Sequence, residues 1–141
     1  MKLLEAKKFA IKKHMGLKRD NSKTPYWKHL EKVVKNLEKL GIKDESILCA
    51  GWLHDTIEDT STDYDDIYEK FGKKTADIVV TVTKDTRMIK KSREIAYCNQ
   101  LKKGTWQAQI VKFGDILANM EDLKSYSKPM PDRKKQAKNK L

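Results

Sequence analysis

Apolar side chains recur every three or four residues along most of this 141-residue chain, the spacing that places them on one face of an α-helix. Residues 26–40 show the pattern plainly, with Val33, Val34 and Leu37 in one stripe. The β-branched run at residues 78–83 would suit a strand, but the sequence offers no second strand to pair with it. The sequence therefore predicts an all-α helical bundle.

The predicted helices are delimited by residues that favour helix ends. Thr24 as N-cap, with Pro25 at the first helical position, would start the second helix. Asp44 would cap the third helix, which continues through Ile57. The predicted helices cover residues 2–15, 24–41, 44–57, 62–72, 73–83, 88–102 and 105–124. The connections between them are short, as expected for a helical bundle.

The chain has the size of one domain, which we place at residues 1–126, with a basic and mobile tail at 127–141. Cys49 and Cys98 lack metal-ligand spacing and are too few for a disulfide framework, which favours a reducing cytoplasm. Charges interrupt the N-terminus too often for a signal peptide. The longest apolar stretch, around residues 78–80, is far too short to span a membrane.

The formal net charge of +11 is unevenly distributed. Residues 1–40 have 12 basic and 4 acidic side chains, residues 41–85 have 5 and 11, and residues 86–141 have 14 and 5. An acidic centre suits a cation, and basic flanks suit an anionic substrate or nucleic acid. Alternatively, the lysines only keep exposed helix faces soluble.

The motif HDTIED at residues 54–59 concentrates residues that could bind a metal. His54 and Asp55 can converge on one ion, although a His-Asp pair alone is weak evidence. If the helix continues, Glu58 lies one turn after His54 and Asp59 one turn after Asp55. Such acids could bind a metal, activate water or carry a proton. An ordinary acidic helix end is a poor alternative, because acids at a helix C-terminus face an unfavourable dipole.

Two more residues of metal-binding type lie within apolar stretches. His29 is four residues before Val33, on the apolar side of the second helix, where a lone histidine is more often a core side chain. Asp115 interrupts the apolar run at 110–118, where a charge is costly unless it is paired or bound to a metal. Asn119 follows Asp115 by one turn on the same face. Considered alone, Asp115 could equally be exposed.

Taken in order, these residues resemble the HD phosphohydrolase superfamily, in which His…His-Asp…Asp lie on separate helices of an all-α bundle. Over residues 3–126 the resemblance narrows to the hydrolase domain of RelA/SpoT proteins and their stand-alone relatives, the small alarmone hydrolases. The motifs that carry it are TPYWKH at 24–29, AGWLHDTIEDT at 50–60, FG at 71–72, VTK at 82–84 and VKFGD at 111–115 with Asn119. Each motif is weak alone, and their order together specifies the family.

The resemblance implies a metal-dependent hydrolase that removes pyrophosphate from the 3′ position of guanosine 3′,5′-bis(diphosphate) (ppGpp), its triphosphate form pppGpp or a related alarmone. It implies a metal, usually manganese, held by His29, His54, Asp55 and Asp115. Iron, cobalt or zinc would suit the same ligands. Glu58 and Asp59 would serve the attacking water. Arg19 would contact the nucleotide and Asn119 the sugar, while Lys18 could neutralise phosphate charge.

The sequence departs from the family pattern on the nucleotide side. Asp20 follows Arg19 where relatives often have a second basic residue. Ala118 and Glu121 stand where relatives commonly have a histidine and a basic residue. All four implied metal ligands remain. We therefore expect 3′-pyrophosphate hydrolysis with a modest preference for guanine over adenine.

Two other functions fit parts of the pattern. Another HD hydrolase, such as a nucleoside 5′-monophosphatase, would use the same ligands. A two-metal HD phosphodiesterase would need additional histidines after His54 and Asp55, and the sequence has none there, since His14 is the only other histidine. A binding module with a relic site would explain the basic flanks and the tryptophans Trp27, Trp52 and Trp106, but a relic should have lost ligands. We expect an anionic nucleotide as partner, and neither nucleic acid nor a membrane.

Overall fold

A computed structural model describes residues 2–19 and 23–125, and within them the chain forms eight α-helices. These are α1 (Lys2–Lys13), α2 (Trp27–Lys39), α3 (Glu45–Leu53), α4 (Thr56–Asp59), α5 (Tyr64–Phe71), α6 (Lys73–Thr81), α7 (Lys90–Lys103) and α8 (Trp106–Ser125). The described residues contain no β-strand, and none of their helices is both long and apolar enough to cross a bilayer. The all-α prediction is confirmed, and α6 takes in the start of the β-branched run. Asp20 and the predicted tail at 127–141 lie outside the described residues.

Helix α3 is the centre of the bundle and packs against α1, α2, α6 and α8. All of its residues from 47 to 53 are buried. Leu30 and Leu37 of α2 and Val111 of α8 are fully buried in the same core, and burying such a side chain contributes about 1.5–3 kcal/mol. The core therefore fixes α2, α3 and α8 relative to one another.

Two glycines let α3 and α8 approach α2 closely at a single leucine. A Cβ atom on Gly51 would lie 3.0 Å from Leu37 Cδ1, and one on Gly114 would lie 3.1 Å from Leu37 Cδ2. His54 follows Gly51 by three residues, and Asp115 follows Gly114 directly. The close packing therefore brings both of these polar residues towards α2.

The second helix begins later than predicted, at Trp27, so the assignment of Thr24 as its N-cap is wrong. The Thr24 carbonyl accepts a hydrogen bond of 2.9 Å from the Arg19 N–H, and the Tyr26 N–H donates to the Leu17 carbonyl at 2.9 Å. These bonds hold the segment before α2 against residues 17–19. Capping rules consider only neighbouring residues, so they do not predict this pairing between two segments of the chain.

The third helix ends at Leu53, so the prediction that it continues through Ile57 is wrong. The Thr56 hydroxyl donates to the Leu53 carbonyl at 2.7 Å, and His54 Nδ1 lies 2.8 Å from the Gly51 carbonyl oxygen. Side chains that bond nearby carbonyls compete with the backbone bonds of a helix. The chain turns at residues 54–55 before the short helix α4.

Acidic side chains cap the N-termini of two described helices, α3 and α5. Asp44 accepts from the backbone N–H groups of Ser46 and Ile47, which confirms its predicted role at α3. Helix α5 begins at Tyr64, two residues later than predicted. Asp63 and Asp66 form a reciprocal capping box there, an arrangement that satisfies two otherwise unpaired N–H groups.

Candidate metal centre

The four implied metal ligands form one cluster where α2, α8 and the turn after α3 meet. His29, His54, Asp55 and Asp115 each place one donor atom within 4.8 Å of the others. His29 Nε2 lies 2.8 Å from Asp115 Oδ1. His54 Nε2 lies 3.1 Å from Asp55 Oδ2 and 3.4 Å from Asp115 Oδ1. Residues that are distant in sequence thus share one small, largely buried volume.

The cluster is electrostatically suited to a cation. Burial lowers the pKa of His54, but the carboxylates of Asp55 and Asp115 outweigh burial and leave that pKa well above its usual range. Burial raises the pKa of Asp115, but the hydrogen bond with His29 and the nearby imidazole of His54 outweigh burial and hold that pKa well below its usual range. Both shifts stabilise positive charge between ionised carboxylates.

The donor set fits a divalent transition metal. Because His54 Nδ1 can donate to the Gly51 carbonyl, the neutral ring presents its lone pair at Nε2. That Nε2 atom is buried and has no hydrogen-bond partner among the described residues, although two carboxylate oxygens lie near it. A metal ion would satisfy the nitrogen and both carboxylates together. Two imidazoles and two carboxylates suit manganese, iron, cobalt or zinc.

A cavity of about 220 Å³ opens beside the cluster, and Glu58 forms part of its wall. The Glu58 carboxylate accepts a hydrogen bond from the Lys84 backbone N–H. Burial raises the pKa of Glu58 above its usual range. A carboxylate with a raised pKa is a stronger base than an exposed one, which is a property that a general base in this cavity would need.

Asp59 faces a different side of the protein from Glu58. Its Oδ2 lies 3.7 Å from His14 Nε2, and its side chain lines a separate groove beside Lys12 and Met15. Glu58 and Asp59 are adjacent residues of α4, and adjacent side chains of a helix point about 100° apart, so Glu58 lines the cavity while Asp59 does not. His14 is buried with its Nδ1 2.9 Å from the Ala10 carbonyl oxygen, which suits a structural role.

Two of the three candidate substrate contacts reach the cavity. Arg19 and Asn119 both line it, and Arg19 Nη2 donates to Asn119 Oδ1 at 2.9 Å and to Asp122 Oδ2 at 2.8 Å. Lys18 is exposed and is not among the residues of the cavity wall. Arg19 is thus tied to α8 at the edge of the metal site.

Sequence reasoning gave no site role to Tyr97 or Lys112, which also line the cavity. Lys112 Nζ lies 3.1 Å from Asp115 Oδ2 and 5.4 Å from the centre of the Tyr97 ring. Burial lowers the pKa of Lys112, but the Asp115 carboxylate outweighs this and raises it. Lys112 interrupts the same apolar run as Asp115, one turn earlier, so the same sequence signal could have found it. Burial raises the pKa of Tyr97 to about 12, and no sequence pattern marks this residue.

The two departures from the family pattern that the structure describes, Ala118 and Glu121, lie outside the cavity wall. Ala118 is fully buried. Glu121 accepts a hydrogen bond of 2.9 Å from Asn36 Nδ2 and lines the groove between α2 and α8. Neither residue lines the cavity beside the metal cluster.

A family model described as an HD domain matches residues 6–139 of the chain. The chain belongs to the HD-domain family. The HD match extends beyond residue 126, so the proposed boundary between the domain and a tail stays a prediction.

Sequence relatives of this HD-domain chain confirm its resemblance to RelA/SpoT-type hydrolases. It is 39% identical over 124 residues to a protein of Xenopus tropicalis named guanosine-3′,5′-bis(diphosphate) 3′-pyrophosphohydrolase MESH1, covering 86% of this chain and 69% of that protein. The human protein of the same name is 38% identical over 123 residues, with the same coverage of both chains. A guanosine-3′,5′-bis(diphosphate) 3′-pyrophosphohydrolase of Aquifex aeolicus is 36% identical over 121 residues, covering 84% of this chain but 17% of that protein.

A solved structure shares the fold of this HD domain. It is described as a metazoan ortholog of SpoT that hydrolyses ppGpp, and it is 32% identical in sequence. It superposes with a TM-score of 0.87, covering 97% of this chain and 82% of that chain. The helical bundle of this chain therefore also occurs in a protein described as a ppGpp hydrolase.

Proposed function

We propose that this HD-domain chain is a cytoplasmic, manganese-dependent enzyme that hydrolyses the 3′-pyrophosphate of ppGpp, pppGpp or a related alarmone. The observation that carries the proposal is the cluster of two histidines and two aspartates beside Glu58 in one cavity. Relatives 38% and 39% identical that are named for this reaction support the choice of substrate. The unpaired Cys49 and Cys98 suit a reducing cytoplasm.

The proposed metal ligands are His29, His54, Asp55 and Asp115. A bound divalent metal lowers the pKa of water and polarises phosphoryl oxygens. Glu58 takes a proton from the attacking water, whose oxygen bonds to the phosphorus attached to the ribose O3′. The bond between that phosphorus and O3′ breaks, and O3′ is protonated. One water is consumed, and ppGpp gives GDP and pyrophosphate. Asp59, although it faces another groove, stays a candidate for assisting this proton transfer.

The cavity is suited to the reacting diphosphate rather than to the whole nucleotide. Its volume of about 220 Å³ is below the roughly 300–1,000 Å³ of most small-molecule sites. Lys84 and Lys112 line it and supply positive charge. The nucleoside would extend towards Arg19 and Asn119, where a further groove of about 360 Å³ continues along α2. Lys18, which is exposed, would act only on the approach of the nucleotide.

Product identification tests the proposed function. The purified protein with manganese should be incubated separately with ppGpp, pppGpp, GMP and AMP, and the products separated by anion-exchange chromatography. We expect GDP and GTP from the two alarmones, each with pyrophosphate, and no release of phosphate from the monophosphates. Hydrolysis of GMP or AMP with intact ppGpp would instead identify a nucleoside 5′-monophosphatase.

The basic surface predicts a salt-dependent capture of substrate. Lys28, Lys32, Lys35 and Lys39 line the groove that continues from Arg19. Because exposed charges are screened over about 8 Å at 0.15 M salt, kcat/KM for ppGpp should fall as salt is added. Replacing Lys28 and Lys39 with glutamine should flatten this dependence. The matched control replaces Lys102 and Lys103, which line neither the cavity nor the groove. Equal salt dependence in both double variants would assign the groove lysines to solubility alone.

The preference for guanine is predicted to be modest. Ala118 is fully buried, and Glu121 lines the groove proposed for the nucleoside, where a carboxylate can accept from the amino group of either purine. Each hydrogen bond missing from a base-reading site lowers discrimination by about 1–3 kcal/mol. The measurement is the ratio of kcat/KM for the guanosine and adenosine 3′,5′-bis(diphosphates). A ratio above about a thousandfold, or about 4 kcal/mol, would show that other groups read the base.

A further inference from the structure

Tyr26 is fixed at the junction between the α2 segment and the metal cluster. It precedes α2, and its backbone N–H donates to the Leu17 carbonyl at 2.9 Å. Its own carbonyl accepts from the His29 N–H at 3.0 Å. The backbone is therefore held on both sides of Tyr26, and the direction of the side chain is set one turn before a proposed ligand.

The Tyr26 hydroxyl bonds a second proposed ligand. It donates to Asp55 Oδ2 at 2.6 Å, a short bond typical of a hydroxyl and a carboxylate. Asp55 lies in the turn between α3 and α4, and its side chain caps no helix. A carboxylate has about four lone-pair sites, so one bond from Tyr26 orients the group and leaves sites for a metal.

The Tyr26 ring makes contacts of a different kind. It stacks on buried His14 with the ring centres 5.1 Å apart and the planes at 9°. The Arg19 guanidinium lies 5.5 Å from the Tyr26 ring centre, within the range of a cation–π interaction. The centre of the His29 ring lies 5.7 Å from the centre of the Tyr26 ring, in an edge-on arrangement. The aromatic ring thus joins the proposed nucleotide contact Arg19 to the metal site.

We propose that Tyr26 is a positioning residue with two separable roles, in which its hydroxyl orients Asp55 for the metal and its ring orients Arg19 for the nucleotide. The second role rests on the proposed function, whereas the first concerns metal binding alone. Outer-shell groups that orient a ligand typically contribute 10- to 100-fold to metal affinity. Loss of the ring should weaken nucleotide binding by about three- to tenfold, the scale of one cation–π contact.

Two substitutions at Tyr26 separate these roles. Tyr26→Phe removes the hydroxyl and keeps the ring, so manganese should bind about 10- to 100-fold more weakly, while KM for ppGpp at saturating manganese stays within about twofold. Tyr26→Leu removes the ring as well and should also raise KM by about three- to tenfold. Should Tyr26→Leu fail to fold, Tyr26→Met provides a second non-aromatic side chain that adapts to irregular space.

The control is Tyr64→Phe, which removes a hydroxyl that donates to Asp77 at 2.7 Å, away from the cavity. Manganese affinity is measured by the electron paramagnetic resonance signal of free Mn²⁺, without substrate. Wild-type affinity in Tyr26→Phe would overturn the role of the hydroxyl, and an unchanged KM in the folded non-aromatic variant would overturn that of the ring. Wild-type protein that binds manganese but leaves ppGpp intact would overturn the proposed function, while the manganese titration still decides the role of the hydroxyl.

Discussion

Glu58→Gln should lower kcat for ppGpp by about a hundredfold or more, the scale of general acid–base catalysis, while the metal remains bound. The glutamine keeps the shape of the side chain and can still accept from the Lys84 N–H, but it cannot take a proton from water. Steady-state kinetics and metal analysis of the same preparation measure both effects. Glu69→Gln, on the exposed face of α5, is the matched control.

Asp59→Asn is the informative comparison for Glu58→Gln. Because Asp59 faces the groove beside His14 rather than the cavity, its loss should cost less turnover than the loss of Glu58. Undiminished kcat in Glu58→Gln, with a large loss in Asp59→Asn, would transfer the base function to Asp59.

The pH dependence gives Glu58 a second signature. The base must be ionised, so kcat/KM should rise with pH through the raised pKa of Glu58, and this acidic limb should disappear in Glu58→Gln. Folding stability should depend on pH in the opposite direction to activity. Because the folded state favours the protonated Glu58 carboxyl, the contribution of Glu58 to stability is present below its unfolded-state pKa and is lost as pH rises through its folded-state pKa. Metal-free Glu58→Gln should therefore melt at a higher temperature than the wild type at neutral pH.

Asp115→Ala should lose the metal and the activity together, with kcat/KM reduced by about a thousandfold or more. The metal contributes several kcal/mol to the transition state, and 1.36 kcal/mol corresponds to a factor of ten. Asp115 contacts His29, His54 and Lys112 at once. Its removal therefore leaves one proposed ligand missing and the partly buried Lys112 without its carboxylate. Elemental analysis of the purified protein measures the metal directly.

Two further variants separate metal loss from unfolding. Asp115→Asn keeps the size of the side chain and removes its charge, and it should also lose the metal. Asp77→Ala removes a carboxylate that accepts from Tyr64 and Lys73 on an exposed face and should retain the metal. Full occupancy in a folded Asp115→Asn protein would contradict the assignment of Asp115 as a ligand.

Most of the bundle could be predicted from local signals in the sequence. The stripe on α2, the Asp44 cap and Gly72 at the end of α5 each act within a few residues, so periodicity and capping rules detect them. The start of α2 could not be predicted in this way because its approach is paired with residues 17–19. The end of α3 depends on side-chain bonds from His54 and Thr56 to nearby carbonyls, which propensities do not include.

The residues of the metal cluster could be predicted from the sequence because they interrupt apolar patterns and occur in the order that the HD family shows. Asp115 stands out within residues 110–118 for that reason. Glu58 and Asp59 could not be told apart from the sequence, because only the tertiary packing shows which side of α4 borders the cavity. Tyr97 could not be predicted as a site residue, since only the packing of α7 brings its ring beside Lys112 and the cavity.

The most direct test of 3′-pyrophosphate hydrolysis is the fate of solvent oxygen. The manganese-loaded protein should hydrolyse ppGpp in water enriched in ¹⁸O, and mass spectrometry should locate the label in the products. We expect one ¹⁸O atom in pyrophosphate and none in GDP, because water attacks the phosphorus bonded to O3′ and that bond breaks. Label in GDP, or release of orthophosphate in place of pyrophosphate, would contradict hydrolysis at that phosphorus by this metal centre.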